Sequence, residues 1–131
     1  MCDICDASKG SLSSYAYTLM TLHYLQRCDP PVIPVLQELY RGDIKPEIIV
    51  DNYNTWFLED LNQLDEFWDH HHANTQSMGQ LFIGFLRFFS ERFPFSRSVV
   101  CIRRMKELTK LEKKWTGKQI AIEGELIFDC F

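Results

Sequence analysis

The chain has 131 residues and a formal charge of −4; 46% of it is hydrophobic and 24% charged. That length holds one domain with one sizeable core, and the balance excludes a disordered or low-complexity chain. No apolar run approaches the roughly 18 residues that cross a bilayer, and five cysteines without framework spacing do not build a secreted disulfide scaffold. The opening Met1-Cys2-Asp3-Ile4-Cys5-Asp6 is acidic and unlike a signal peptide, so a reducing intracellular setting is expected.

Residues 12–27 predict a helix, with Leu12, Tyr15, Ala16, Leu19, Met20, His23 and Tyr24 at helical spacing. Ser11 or Ser13 is the expected cap, and Asp29-Pro30-Pro31 the stop. Pro30 to Pro34 reads as extended, Val35 to Tyr40 as a short helix, and residues 43–56 as irregular with Ile48-Ile49-Val50 extended. Leu58 to Trp68 predicts a helix with Leu61, Leu64, Phe67 and Trp68 on one face, and His70-His71-His72 a loop. Thr75 to Phe93 predicts the longest helix, capped by Asn74 or Thr75, with Met78, Leu81, Phe82, Phe85, Leu86, Phe88 and Phe89 as its apolar stripe. Gly84 inside that stripe suggests the close approach of another backbone. Val99 to Ile102 reads as a strand, Lys106 to Trp115 as a short helix and Ile120 to Ile122 as a second strand. The fold class is therefore mainly α with a few short strands.

Charge is uneven. Between Arg97 and Lys118 eight bases meet only Glu107 and Glu112, which is +6 and leaves −10 for the rest. Asp51 to His72 carries six acids and no Lys or Arg. The basic stretch, with Arg103, Arg104, Lys113 and Lys114 as candidates, reads either as a face for RNA or phosphate or as a solvated surface balanced by the acidic half.

Most motif chemistry is missing. Neither GxxxxGK[ST] nor GxGxxG occurs, and no Asp is followed two residues later by Asp or Glu, the spacing at which a strand presents two metal-binding carboxylates. Cys2-x-x-Cys5 with three consecutive histidines is a poor zinc pattern, because adjacent side chains point different ways. No metal site is expected in this chain. Ser13, Ser14 and Tyr15 at a helix mouth offer two hydroxyls and a ring that could hold a phosphate and stack a base; a core position for Tyr15 is the alternative.

Several segments, in order, resemble the terminal uridylyltransferases, template-independent relatives of poly(A) polymerase. They are Gly10-Ser11-Leu12-Ser13-Ser14-Tyr15, Pro30-Pro31-Val32-Ile33-Pro34, Val50-Asp51-Asn52, Ser77-Met78-Gly79-Gln80-Leu81, Leu108-Thr109-Lys110 to Trp115-Thr116, and Ile120-Ala121-Ile122-Glu123. The likeness is greatest to the large, zinc-knuckle-bearing enzymes that tail cytoplasmic RNAs, and it spans residues 1–123. It implies the helical central domain of a polymerase-β-like nucleotidyltransferase, with the poly(A)-polymerase-associated region at 74–123 and a divergent tail at 124–131. It also implies that Tyr15 stacks on the uracil ring and that Ser14 lies near the triphosphate. The parent enzyme would add UMP from UTP to RNA 3′ ends with Mg²⁺ or Mn²⁺. In the family, the catalytic domain with its carboxylates and the triphosphate lysines precedes this segment, and a uracil-selecting histidine follows it. An inactive, truncated product is therefore expected, which supplies the base-binding side of the cleft to RNA and UTP; a non-catalytic protein- or RNA-interaction module is the alternative.

Overall fold

The computed structural model describes residues 12–69 and 73–124. Helix α1 spans Ser14–Gln26, and the hydroxyl of the extended Ser13 accepts the Ala16 N–H at 3.1 Å. That cap satisfies one of the donors a helix cannot pair internally. Ala16, Leu19, Met20, His23 and Tyr24 are buried, as their spacing predicts. Past Arg27 the chain turns back, and the Val32 N–H reaches Leu25 O at 2.9 Å, which lays the proline segment along the end of α1. The short helix expected at 35–40 is a single 3₁₀ turn, Leu36–Glu38.

The segment read as irregular holds a two-stranded hairpin. Strand β1 (Ile49–Val50) pairs antiparallel with β2 (Tyr53–Asn54). Asp51 and Asn52 join them at φ +49° and +66°, the two left-handed positions that suit a tight hairpin. The helix expected over Leu58–Trp68 is largely replaced by a 3₁₀ turn, Leu61–Gln63, followed by one helical turn, α2 (Leu64–Phe67). The Asp60 carboxylate explains this: it accepts the Asn62 N–H at 3.0 Å and the Gln63 amide at 3.1 Å, which tightens the first turn. Trp68 is then extended and buried.

The long helix is shorter than its stripe. Helix α3 spans Met78–Arg87, and its cap is Ser77, in a reciprocal capping box with Gln80. Asn74 instead makes a turn of its own, accepting the Gln76 N–H at 2.9 Å. From Phe88 to Arg92 the backbone widens into a π turn, and the Phe93 N–H returns to Phe88 O at 2.7 Å. The extra residue per turn rotates the phenylalanines, so that Phe88, Phe89 and Phe93 all stand 5.4–6.2 Å from the His23 ring. Gly84 meets a side chain rather than a backbone: a Cβ there would overlap the Tyr24 hydroxyl.

Strand β3 (Ser98–Val99) pairs antiparallel with β4 (Leu108–Thr109), and Val100 makes a parallel bridge to Ile122. The helix expected over 106–115 is thus preceded by strand at Leu108 and Thr109. Its helical part is one turn, α4 (Lys110–Lys113), capped by Thr109 and stopped by Lys114 at φ +60°. The second strand expected at Ile120–Ile122 is reduced to that single bridge. The first core cluster joins α1, Phe89, Val100 and Ile122; the second holds Val99, Cys101, Leu108 and Ala121.

Candidate functional site

The mouth of α1 carries the residues singled out in the sequence. Ser14 and Tyr15 are exposed, Tyr15 by half, while the next residue, Ala16, is buried. Tyr15 is therefore not a core residue. Ser13 is committed to capping, and Thr18 donates its hydroxyl to the Ser14 carbonyl at 3.1 Å. The first N–H groups of the helix point out of this end, where the helix dipole is positive. An open phenol ring beside such donors suits a base with an attached phosphate. Gly10 and Ser11 lie outside the described residues, as do Cys2, Cys5, the three histidines and the tail from Glu125.

The basic stretch is largely engaged within the fold. Arg103 donates to Asn54 O at 2.5 Å, Arg104 pairs with Glu112 at 3.1 Å, and Arg97 with Glu107 at 3.4 Å. Lys113 pairs with Glu123. Lys110 is buried, with its ammonium on the carbonyls of Lys118 and Gln119. Lys106 and Lys114 are exposed. The Glu112 carboxyl is held down at about 2, first by the Thr109 N–H and hydroxyl and then by Arg104.

Cys101 donates its thiol to Glu123 at 2.9 Å. Burial, then Glu123, pushes that thiol up to about 11, so it stays protonated and is no nucleophile. Burial raises the Glu123 carboxyl, yet the hydrogen bonds from Cys101 and Lys113 outweigh this and hold it below its ordinary value. His23 lies against the Cys101 backbone at 2.8 Å, and burial together with the Arg27 charge lowers it to about 4. Cys101 and His23 are both buried, so neither offers acid–base chemistry at a surface. Among the described residues no cluster of three or more His, Cys, Asp or Glu side chains is arranged to hold a metal ion, so these residues do not fit a divalent cation. No helix among them is long and apolar enough to cross a membrane.

Sequence reading missed a groove of about 480 Å³ at the opposite end of α1. Gln26 borders it and donates its amide nitrogen to Ile102 O at 2.9 Å and Pro34 O at 3.4 Å; its buried oxygen has no partner among the described residues. Arg27 donates to the carbonyls of Arg104, His23 and Met105 at 2.8, 3.3 and 3.4 Å. The available signal was weak: a polar pair just before a proline run, with Trp68 far along the chain.

Residues 77–124 match the family model described as Cid1 family poly A polymerase, the poly(A)-polymerase-associated domain. Human terminal uridylyltransferase 7 is 55% identical over 123 residues, covering 94% of this chain and 8% of that protein. Mouse terminal uridylyltransferase 4 is 51% identical, covering 93% and 7%. The structure of Cid1 in complex with the UTP analogue UMPNPP superimposes with a TM-score of 0.75 and 38% identity, covering 92% of this chain and 36% of that one. The chain thus spans under a tenth of those two curated relatives and about a third of Cid1. Its mainly helical fold is that of one part of the Cid1 nucleotidyltransferase fold. Residues 77–124 thus match the poly(A)-polymerase-associated model of the Cid1 family, and nearly the whole chain is similar to one segment of terminal uridylyltransferases 7 and 4.

Proposed function

We propose that this chain is the base-binding side of an RNA uridylyltransferase, an enzyme that transfers UMP from UTP to RNA 3′ ends. The observation that carries this is the half-exposed Tyr15 at the start of α1, in a chain that aligns over 92% of its length with Cid1 bound to a UTP analogue. Cid1 has also been solved with its short product ApU, which supports an RNA 3′ end as the acceptor. In this reading Tyr15 stacks on the uracil ring, and Ser14 lies beside the triphosphate. Carboxylates outside these residues would hold the Mg²⁺ or Mn²⁺ of the parent enzyme, whose charge would offset that of the transferring phosphoryl group. A relative described as a cytoplasmic RNA terminal U-transferase supports a cytoplasmic location.

Without such carboxylates the isolated chain is expected to leave a labelled oligo-U primer unextended when supplied with UTP and Mg²⁺; a growing ladder refutes that expectation. Base binding is tested separately by titrating UTP into the chain and following the Tyr15 ring by NMR. Tyr15→Ala is expected to remove about 1–3 kcal/mol of the binding, the usual worth of one stacked base. Equal UTP affinity in wild type and variant refutes the stacking role.

A second reading, a protein-interaction module, is favoured by one feature. Met78, Phe82 and Leu86 on α3 are 84%, 63% and 51% exposed, a solvent-facing apolar row.

A further inference from the structure

We propose that the outer face of α3 is an interface between two copies of this chain, packed antiparallel about a two-fold axis near Phe82. This goes beyond uridylyl transfer; it rests on the second reading above, that the α3 row is an interaction face, and names what covers it.

Helix α3 is apolar on both sides. Its inner side, through Leu81 and Phe85, packs on the α1 core, while Gly84 abuts the Tyr24 hydroxyl. Its outer side carries Met78, Phe82, Ile83 and Leu86, each more than half exposed. A helix that is apolar all round belongs in an interior, so the outer side calls for a second layer. Met78, Phe82 and Leu86 form a ridge at i, i+4 and i+8. Beside it Gly79 has no side chain, and a Cβ there would meet nothing closer than the Ser77 hydroxyl at 4.0 Å. The ridge therefore borders a shallow groove, the relief into which the ridge of another helix packs.

Charge selects the second copy. From His70 to Leu86 the sequence has no Asp, Glu, Lys or Arg. A two-fold axis sets the same patch against itself, so a charge close to the axis would meet its like. This face has none to repel itself, and none with which to hold RNA or a charged peptide. With Phe82 at the centre, Met78 of one copy faces Leu86 of the other. Arg87, the first charge, then lies opposite the other copy's uncharged Ser77. Two such faces in contact would remove roughly 1,000 Å² from water through these four side chains alone, about the floor for a specific interface.

Sedimentation velocity of the full chain in reducing buffer, from about 1 to 100 µM, should show a reversible monomer–dimer equilibrium, since an interface this small associates weakly. Phe82→Glu and Phe82→Lys should each weaken the dimer at least about tenfold, by setting like charges face to face at the axis. Mixing the two variants should restore it as a heterodimer. Circular dichroism checks the fold of each, and Met78→Glu, which faces the other copy's Leu86, takes their place if either unfolds. A chain that stays monomeric, open-ended growth beyond the dimer, a dimer unchanged in the variants, or no recovery on mixing would each overturn the proposal. In a monomeric chain an apolar dye separates the two failures. Dye binding that is lost on Phe82→Glu leaves α3 as an interaction face for a different protein, whereas no dye binding refutes the interaction reading as well.

Discussion

His23 shows how one side chain ties the two ends of the chain together. It sits on the apolar stripe of α1, 3% exposed, ringed by Phe88, Phe89 and Phe93, and bonded to the backbone of Cys101. Burial keeps it neutral, with its titration moved from 6.5 down to about 4. The unfolded chain therefore takes up a proton that the folded chain refuses between those two values. Stability is fully present above pH 6.5 and falls by about 1.4 kcal/mol per pH unit as the pH drops toward 4. Urea denaturation at pH 7, 6 and 5 reads this slope directly. His23→Gln keeps a hydrogen-bonding group but cannot titrate, and its stability should be nearly flat over the same range. A slope as steep as that of wild type would assign the pH dependence to other groups. The position of His23 on the buried face was legible from its spacing. Its neutrality was not, because that depends on Arg27 and on three phenylalanines far along the chain.

The elements differ in how locally they are specified. Helix α1 is legible within about two residues at each end, because a hydroxyl cap and a proline stop both act on their immediate neighbours. Helix α3 is not. Its stripe runs on to Phe93, but the backbone leaves α geometry at Phe88, where an i→i+5 turn sets the phenylalanines around His23. Strand β4 is hidden in the same way, since only pairing with Ser98 and Val99 makes Leu108 and Thr109 extended. Gly84 was read correctly as a close approach but assigned the wrong neighbour. Glycine to alanine in a helix normally stabilises by about 1 kcal/mol. Here the new methyl overlaps the Tyr24 hydroxyl, so Gly84→Ala is expected to destabilise by about 1–3 kcal/mol. Tyr24→Phe removes the overlapping oxygen and leaves a ring carbon at 3.1 Å. The double variant should accordingly be more stable than the sum of the two single effects. Strict additivity in thermal denaturation would mean that the helices do not meet at this point.

At the scale of the whole molecule, net charge describes the chain poorly. A +6 stretch beside a −10 remainder looks like a nucleic-acid face in one dimension. In three dimensions the acids come to the bases: Glu107, Glu112 and Glu123 pair with Arg97, Arg104 and Lys113, while Arg103 and Lys110 donate to backbone carbonyls. Each such contact must be broken or shared before its cation can meet a phosphate, and a phosphate gains little over the carboxylate or carbonyl it replaces. Lys106 and Lys114 are the exposed members of the stretch without such a contact among the described residues. Two cations neutralising two phosphates of a single strand release few counterions. The plot of log affinity for oligo-U against log salt should therefore have a slope of about −1.4. Filter binding or anisotropy from low to physiological salt measures it. Lys106→Gln with Lys114→Gln should flatten the plot, whereas Arg103→Gln with Arg104→Gln should change it little. A slope near −4 or steeper, lost with the arginines, would mean that the ion pairs open on RNA and that the whole stretch is a binding face.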